Sequence, residues 1–118
     1  MVGKEQTMFR LRVLPFFDSI HGFYVAQCLE TGSITTASDR ETALDMMDEL
    51  LEDEISQALK FENLANLYST PAPLEIHKRW VREAELYGTT TRPLNIKVEK
   101  VTLDDIQRVA EVEFARPA

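Results

Sequence analysis

The segment that most constrains the fold is the uninterrupted run of residues 38–60, SDRETALDMMDELLEDEISQALK. It contains no glycine or proline, and its apolar residues recur at intervals of three and four, which predicts one amphipathic helix. The apolar stripe comprises Ala43, Leu44, Met47, Leu50, Leu51, Ile55, Ala58 and Leu59. Because such a stripe must be buried against another layer, we expect the helix to pack on a sheet.

The start of this helix carries a capping signal. Ser38 and Glu41 stand in the S-x-x-E spacing of a capping box, in which each side chain accepts from the backbone N–H of the other residue. Asp39 and Glu41 also place negative charge at the positive end of the helix dipole. The pattern predicts that Ser38 caps the helix.

The opposite face of the predicted helix is crowded with carboxylates: Asp45, Asp48, Glu49, Glu52, Asp53 and Glu54. Like charges four residues apart each destabilise an isolated helix by roughly 0.2–0.5 kcal/mol. The face is either simply solvated, or covered by a basic surface of the same chain or of another one, or it holds a divalent cation through Asp45, Asp48 and Glu52. If this face binds a basic protein, the residues predicted to contact the partner are Asp45, Asp48, Glu49, Glu52 and Asp53.

Length and charge limit the class of protein. The 118 residues predict a single domain over 1–118, and the net charge of −7 argues against binding nucleic acid through phosphate neutralisation. The same charge favours a basic protein partner. The single cysteine, Cys28, excludes an intrachain disulfide and is expected to be a small core residue. With neither a signal-peptide core nor a run long enough for a membrane span, the expected location is the cytoplasm.

Three short strands are predicted before the helix. Phe9, Leu11 and Val13 alternate with arginines, and Pro15 then marks an edge, a bulge or the end of the first strand. A turn around Gly22 leads into a second strand over 23–29, and a second turn leads into a third strand over 33–37, anchored by Ile34. Consecutive strands with short turns predict an antiparallel meander.

These residues resemble a known family. The strand motif G-F-Y-V at 22–25, the turn Thr31-Gly32-Ser33, the threonines at 35 and 36 and the S-D-R-E-T-A-L opening of the helix are similar to the N-terminal half of HicB-type antitoxin domains. The resemblance covers about residues 8–60. This chain has Thr-Gly-Ser where the family has a Pro-Gly-Cys turn, and Ser38 where the family has glycine. The resemblance implies a degenerate RNase H-like domain that binds a small basic toxin and performs no catalysis.

The second half, residues 61–118, is interpreted as a helical insertion followed by strands. Residues 61–68 either extend the first helix or form a short one, and the prolines at 71 and 73 end it. Residues 74–87 predict another helix that ends at Gly88. It is basic and carries His77, Lys78, Arg79, Trp80 and Arg82. We expect this helix to neutralise the acidic face within the chain or in a symmetric partner; nucleic acid is the weaker alternative.

The C-terminal strands are less clearly marked. Residues 89–93, TTTRP, are interpreted as a loop, and a fourth strand is predicted over 94–98 from the alternation of Leu94, Ile96 and Val98. Residues 102–105 are either a helix start or a turn, and the alternation from 109 to 114 favours a fifth strand. The expected fold class is α+β: a three-stranded antiparallel meander, a long helix on the sheet, a second helix and a C-terminal strand pair.

Three functions follow as hypotheses. The first is a protein-binding module that resembles an antitoxin, with no catalytic residue, cofactor or metal. The second is a self-associating domain, so that a homo-oligomer is expected. The third is a small enzyme that uses Asp18, His21 and Cys28, although polar residues in a turn usually serve the turn itself.

Overall fold

The computed structural model describes residues 9–96 and 110–117. Within these ranges the chain forms five strands and three helices around one mixed sheet. The elements in chain order are β1 (Phe9–Asp18), β2 (Phe23–Cys28), β3 (Ile34–Ala37), α1 (Arg40–Lys60), α2 (Leu64–Leu67), α3 (Leu74–Tyr87), β4 (Thr89–Leu94) and β5 (Ala110–Ala115).

The sheet has the strand order β3-β2-β1-β5-β4. The predicted antiparallel meander of β1, β2 and β3 is confirmed. The C-terminal strands do form an antiparallel pair, but β5 lies between β4 and β1 and runs parallel to β1, with Phe9 opposite Ala110 and Val13 opposite Phe114. The sheet is therefore mixed, and the last strand completes the layer that the first three strands begin.

Strand β1 separates two apolar clusters because its side chains alternate between the faces of the sheet. Leu11 and Val13 point into the main core beneath α1, whereas Leu14 joins Leu29 and Trp80 beneath α3. The two long helices therefore cover opposite faces. Phe9, Leu11, Val13 and Leu14 of β1 are therefore buried, whereas Arg10 on the face of Leu14 stays exposed.

Proline 15 does not end β1, which continues to Asp18. The Leu29 N–H donates to the Arg12 carbonyl at 2.8 Å, so the even-numbered residues of β1 turn their backbone groups toward β2 and the odd-numbered residues turn theirs toward β5. The pairing with β5 stops at Val13. The N–H that Pro15 lacks would face the last residue of β5, Ala115, whose carbonyl accepts instead from the Arg40 guanidinium.

Helix α1 matches the predicted helix, with Ala43, Leu44, Met47, Leu51, Ile55 and Ala58 buried on one side. Its cap is Asp39, one residue later than predicted. The Asp39 carboxylate accepts from the Thr42 N–H at 2.8 Å and from the Thr42 hydroxyl at 2.9 Å. A carboxylate that accepts two hydrogen bonds at the positive end of the dipole displaces the serine from this role.

The end of α1 is closed by a residue with a left-handed backbone. Glu62 has a φ of 52°, and the Asn63 N–H donates to the Ala58 carbonyl at 2.8 Å, as in a Schellman motif. This position normally holds glycine because a side chain is strained there.

Replacing Glu62 by glycine is therefore expected to raise the free energy of unfolding by about 0.5–1 kcal/mol, since relief of strain exceeds the added entropy of the unfolded chain. Urea denaturation measures the change. The exposed Glu85 inside α3 is the control, where the same substitution should lower stability by about 1 kcal/mol. Equal losses at both sites would contradict the strain argument.

Several predicted elements are corrected or refined. The threonines at 89–91 and Arg92-Pro93, predicted as a loop, form most of β4, and residues 97 and 98 of the predicted fourth strand lie outside the described residues. Ile34 does not anchor β3, since 54 % of its surface is exposed on a part of the sheet that α3 does not cover. Helix α3 is confirmed, as is the strand over 110–115; the alternative of a helix beginning at 102–105 falls outside the described residues.

Candidate functional site

The carboxylates of α1 that turn toward β4 hold one arginine. Arg92 Nη1 lies 2.6 Å from Glu41 Oε2 and 3.4 Å from Asp45 Oδ1, and Arg92 Nη2 lies 2.9 Å from Asp48 Oδ2. These four residues are called the Arg92 cluster below. The chain itself therefore supplies part of the basic surface expected to cover these carboxylates. The cation comes from strand β4 and not from helix α3.

The fold places Arg92 over α1 because β4 is an edge strand at the end of the sheet. Arg92 pairs with Val112 of β5, and its guanidinium lies 5.0 Å from the centre of the Phe114 ring. Two residues further along, Leu94 is buried in the main core. Since side chains alternate along a strand, Arg92 and Leu94 share the face that α1 covers.

Asp48 is the most enclosed carboxylate of the cluster, with 20 % of its side chain exposed. Burial raises the pKa of Asp48 to about 6, against the opposing effect of Arg92. Asp48 Oδ1 is buried and accepts no hydrogen bond within the described structure. This carboxylate is therefore poised to take up a proton below neutral pH.

This raised pKa gives a testable pH dependence. Because the folded protein binds the proton of Asp48 more tightly than the unfolded chain, the contribution of Asp48 to stability falls as the pH rises from about 4 to 6. Relative to an Asp48→Asn variant, the wild type should lose about 1–2 kcal/mol across this window, less than the full shift because the side chain is partly exposed.

Urea denaturation at several pH values measures the difference between the two proteins, and Asp53→Asn provides the exposed control. A difference that is constant with pH, or that favours the wild type more as the pH rises, would contradict a raised pKa for Asp48.

The partner-binding residues predicted from the sequence divide into two rows. The inner row consists of Asp48 and Glu52. Asp48 forms an ion pair with Arg92, and Glu52 accepts from the Asn95 N–H at 2.7 Å, which connects α1 to the residue after β4. Asp45, Glu49 and Asp53 are exposed at intervals of four and form a continuous row on the outside of α1. This row is called the acidic ridge below.

The C-terminal end of the ridge borders a groove of about 430 Å³ between the second half of α1, α2 and the turn at 31–33. Its lining combines carboxylates, hydroxyls, amides and a few apolar groups: Asp53, Glu54, Thr31, Ser33, Ser69, Thr70, Gln57, Asn63, Asn66, Ala58, Phe61 and Leu67. No lysine or arginine lines it in the part of the chain that the structure describes. No local sequence pattern marks this groove, because its walls come from three separate segments of the chain.

Two walls of the groove are fixed by close contacts. The Ser33 hydroxyl is 2.8 Å and 3.0 Å from the two carboxylate oxygens of Glu54, which joins the turn to α1. A Cβ on Gly32 would lie 2.1 Å from the Thr70 carbonyl oxygen, so the segment before α3 lies directly on the turn. The Ala72 N–H also donates to the Leu29 carbonyl at 3.0 Å.

Helix α3 does not neutralise the acidic face of its own chain, because it lies on the other side of the sheet. It is also not basic overall, since three glutamates balance its three lysine and arginine residues. Arg79 pairs with Glu83 at 2.8 Å and lies over the Phe16 ring, while Trp80 is buried in the second cluster. Arg82 is exposed and His77 is half-buried. A role for these residues in contact with a second copy stays a prediction.

The residues considered for catalysis lie at two ends of β2. His21 Nδ1 lies 2.8 Å from Asp18 Oδ2 in the first turn, where the Asp18 carboxylate also accepts from the Ile20 and His21 N–H groups. Cys28 lies at the far end of β2, in the main core, and burial raises the pKa of its thiol. The Asp18–His21 pair thus organises a turn, and the fold does not bring the thiol to it.

Among the described Asp, Glu, His and Cys side chains, no group of three is arranged to hold a metal ion. Asp45, Asp48 and Glu52 therefore do not form the cation site considered from the sequence, and the Arg92 guanidinium lies beside two of them.

Across residues 9–96 and 110–117, no helix combines the length and apolar character needed to cross a membrane. No family model matches the chain, and comparisons with curated proteins and with solved structures find no match.

Proposed function

We propose that this chain is a protein-binding module that resembles a HicB-type antitoxin and covers a basic protein partner with its acidic ridge. The Arg92 cluster carries the proposal, because three carboxylates of α1 already bind one guanidinium of the same chain. The ridge extends this negatively charged surface along the exposed side of α1. Within the described ranges, no cation pairs with Glu49 or Asp53, so these carboxylates are available to a second molecule.

Long-range charge supports the same partner. The net charge of −7 creates a field that speeds the approach of a basic protein, and rows of exposed carboxylates concentrate this field along α1. Within the chain, Arg92 offsets Glu41, Asp48 and only the first carboxylate of the ridge, Asp45. The proposed partner is therefore a small protein with several exposed lysines or arginines.

The architecture supports the resemblance to HicB-type domains without identifying the family. Three antiparallel strands are followed directly by a helix that packs on their sheet, in the order that the resemblance implies. A degenerate RNase H-like domain of this kind would act by covering its partner. The buried Cys28 thiol, with its raised pKa, and its separation from His21 support a role without catalysis.

We expect that reversing one charge on the ridge weakens the partner complex. A tagged protein captures its partner at low salt, mass spectrometry identifies it, and the affinity of the purified pair is then measured at several salt concentrations. For Glu49→Lys we expect about tenfold weaker binding and a shallower dependence on salt, because an attractive charge becomes a repulsive one.

Glu85→Lys is the matched control, since Glu85 is equally an exposed glutamate on a helix but lies on α3, across the sheet. It should leave the affinity within about twofold, because surface substitutions outside an interface change little. Equal losses in the two variants would show that only the net charge matters, and unchanged binding in Glu49→Lys would exclude the ridge as the interface.

Self-association is a second candidate, favoured by the outer side of α3. Leu74, Val81 and Leu86 are all exposed there, beside the basic residues that suggested an oligomer. Light scattering at micromolar concentration decides it: a discrete oligomer supports this function, and a monomer excludes it.

A further inference from the structure

We propose that the groove beside α2 binds an alkylammonium group, and that in the partner complex it receives a lysine side chain. This inference rests on the proposed function and adds a specific pocket to it. The groove adjoins the acidic ridge at Asp53, which belongs to both features. A basic protein lying along the ridge therefore brings its side chains to the mouth of the groove.

The lining suits an ammonium group in charge and in hydrogen bonding. Asp53 and Glu54 supply negative charge, while the amides of Gln57, Asn63 and Asn66 supply carbonyl acceptors for the three N–H donors of a lysine. Glu54 uses its two oxygens to accept from one serine hydroxyl, which leaves further lone pairs free. An anion would be repelled by the same carboxylates, so the groove selects by charge.

An aromatic ring adds a second attraction for cations. Phe61 lines the groove and is 65 % exposed, and the Lys60 ammonium lies 5.5 Å from its ring centre. Cations favour the face of an aromatic ring at this distance. Lys60 thus shows where an ammonium is held at the rim, and it also competes with an incoming cation for the same ring.

The size and rigidity of the groove fit a long, thin side chain. The volume of about 430 Å³ lies within the range of small-molecule pockets, and the walls are fixed by the contacts of Gly32 with Thr70 and of Ser33 with Glu54. A groove that is already formed loses little entropy when a ligand enters it. The flexible stem of lysine can reach into it from a partner on the ridge.

The test uses two defined probes, heptalysine and spermine, added to the full chain while NMR follows the side-chain amides of Gln57, Asn63 and Asn66. The expected result is a shift of these signals at low salt, and about threefold weaker binding to the groove variant Glu54→Gln, which removes a carboxylate of the groove that does not belong to the ridge, since a partly exposed charge contributes modestly. Lys60→Gln should strengthen binding about twofold by removing the competing ammonium. The control Glu75→Gln/Glu85→Gln removes two exposed charges from α3 and should bind as the wild type does.

The outcomes separate the groove from the proposed function. Unshifted amides, or equal weakening in the groove variant and the α3 control, would overturn the groove. If Glu49→Lys weakens heptalysine binding while the groove variant does not, the ridge stands and only the groove falls. If the groove variant weakens spermine binding but no basic protein is captured from cells, the groove holds a free polyamine and the protein-binding function falls.

Discussion

Replacing Gly32 by alanine is expected to lower the free energy of unfolding by about 4 kcal/mol. Two separate costs combine at this position. The backbone has a φ of +78°, which a residue with a Cβ tolerates poorly, and the added Cβ would lie 2.1 Å from the Thr70 carbonyl oxygen. A contact this short with backbone cannot be relieved by turning a side chain, so the segment before α3 must move.

Gly22→Ala separates the two costs. Gly22 has the same φ of +78°, but nothing lies within 4 Å of a Cβ built there. The free energy of unfolding of Gly22→Ala should fall by only about 1 kcal/mol. The strain of the left-handed backbone lowers stability, and the reduced entropy of the unfolded chain offsets part of this loss. Urea denaturation of both variants gives the comparison; similar losses at the two sites would show that the contact between Gly32 and Thr70 is not tight.

The same substitution should also open the proposed groove. Thr70 and Thr31 line it from the two segments that meet at Gly32, so their separation would widen the site. Spermine binding to Gly32→Ala should be several times weaker than to Gly22→Ala at a temperature where both are folded, because a widened groove is no longer preformed.

Replacing Arg92 by methionine is expected to lower the free energy of unfolding by about 3 kcal/mol at pH 7. Methionine keeps much of the apolar stem that packs near Phe114 and removes the guanidinium. Asp48 would then be a largely buried carboxylate without its cation, and Glu41 and Asp45 would repel it. Loss of one partner from a buried ion pair is costly because the other charge is left in a poor environment.

The loss for Arg92→Met should be smaller at pH 5 than at pH 7, since a protonated Asp48 has no charge to be compensated. The double variant Arg92→Met/Asp48→Asn should recover about 1–2 kcal/mol of the loss at pH 7. Arg82→Met, at an exposed arginine of α3, is the control and should change stability by less than about 0.5 kcal/mol. A loss that is independent of pH and unchanged in the double variant would mean that Arg92 stabilises the fold by packing alone.

The elements that were predicted correctly are those whose signals are local. The long helix α1 follows from an uninterrupted spacing of three and four, and α3 follows from two flanking signals, Pro73 and Gly88. The meander follows from alternating residues and short turns. Each signal lies within the element or at its boundary, so no knowledge of distant contacts was needed.

The incorrect predictions concern residues at which two local signals compete, or at which packing against a neighbouring element determines the structure. Ser38 and Asp39 both suit a helix cap, and the charged group was preferred because it accepts two hydrogen bonds from Thr42. The threonines of β4 favour a strand, yet Pro93 suggested a loop; Pro93 is accommodated because β4 is an edge. Ile34 has the character of a core residue, but it lies on a part of the sheet that α3 does not cover.

By itself, the sequence determined the long amphipathic helix, the antiparallel meander, the helix over 74–87 and the strong negative charge, because helical and strand periodicities are properties of neighbouring residues. Only the tertiary structure decided that β5 lies parallel to β1, that α1 and α3 cover opposite faces, and that Arg92 reaches across 51 positions to Glu41. It also decided that the inner carboxylates are paired while the ridge stays exposed. Contacts of this kind join residues distant in the chain, and their geometry depends on how whole elements pack together.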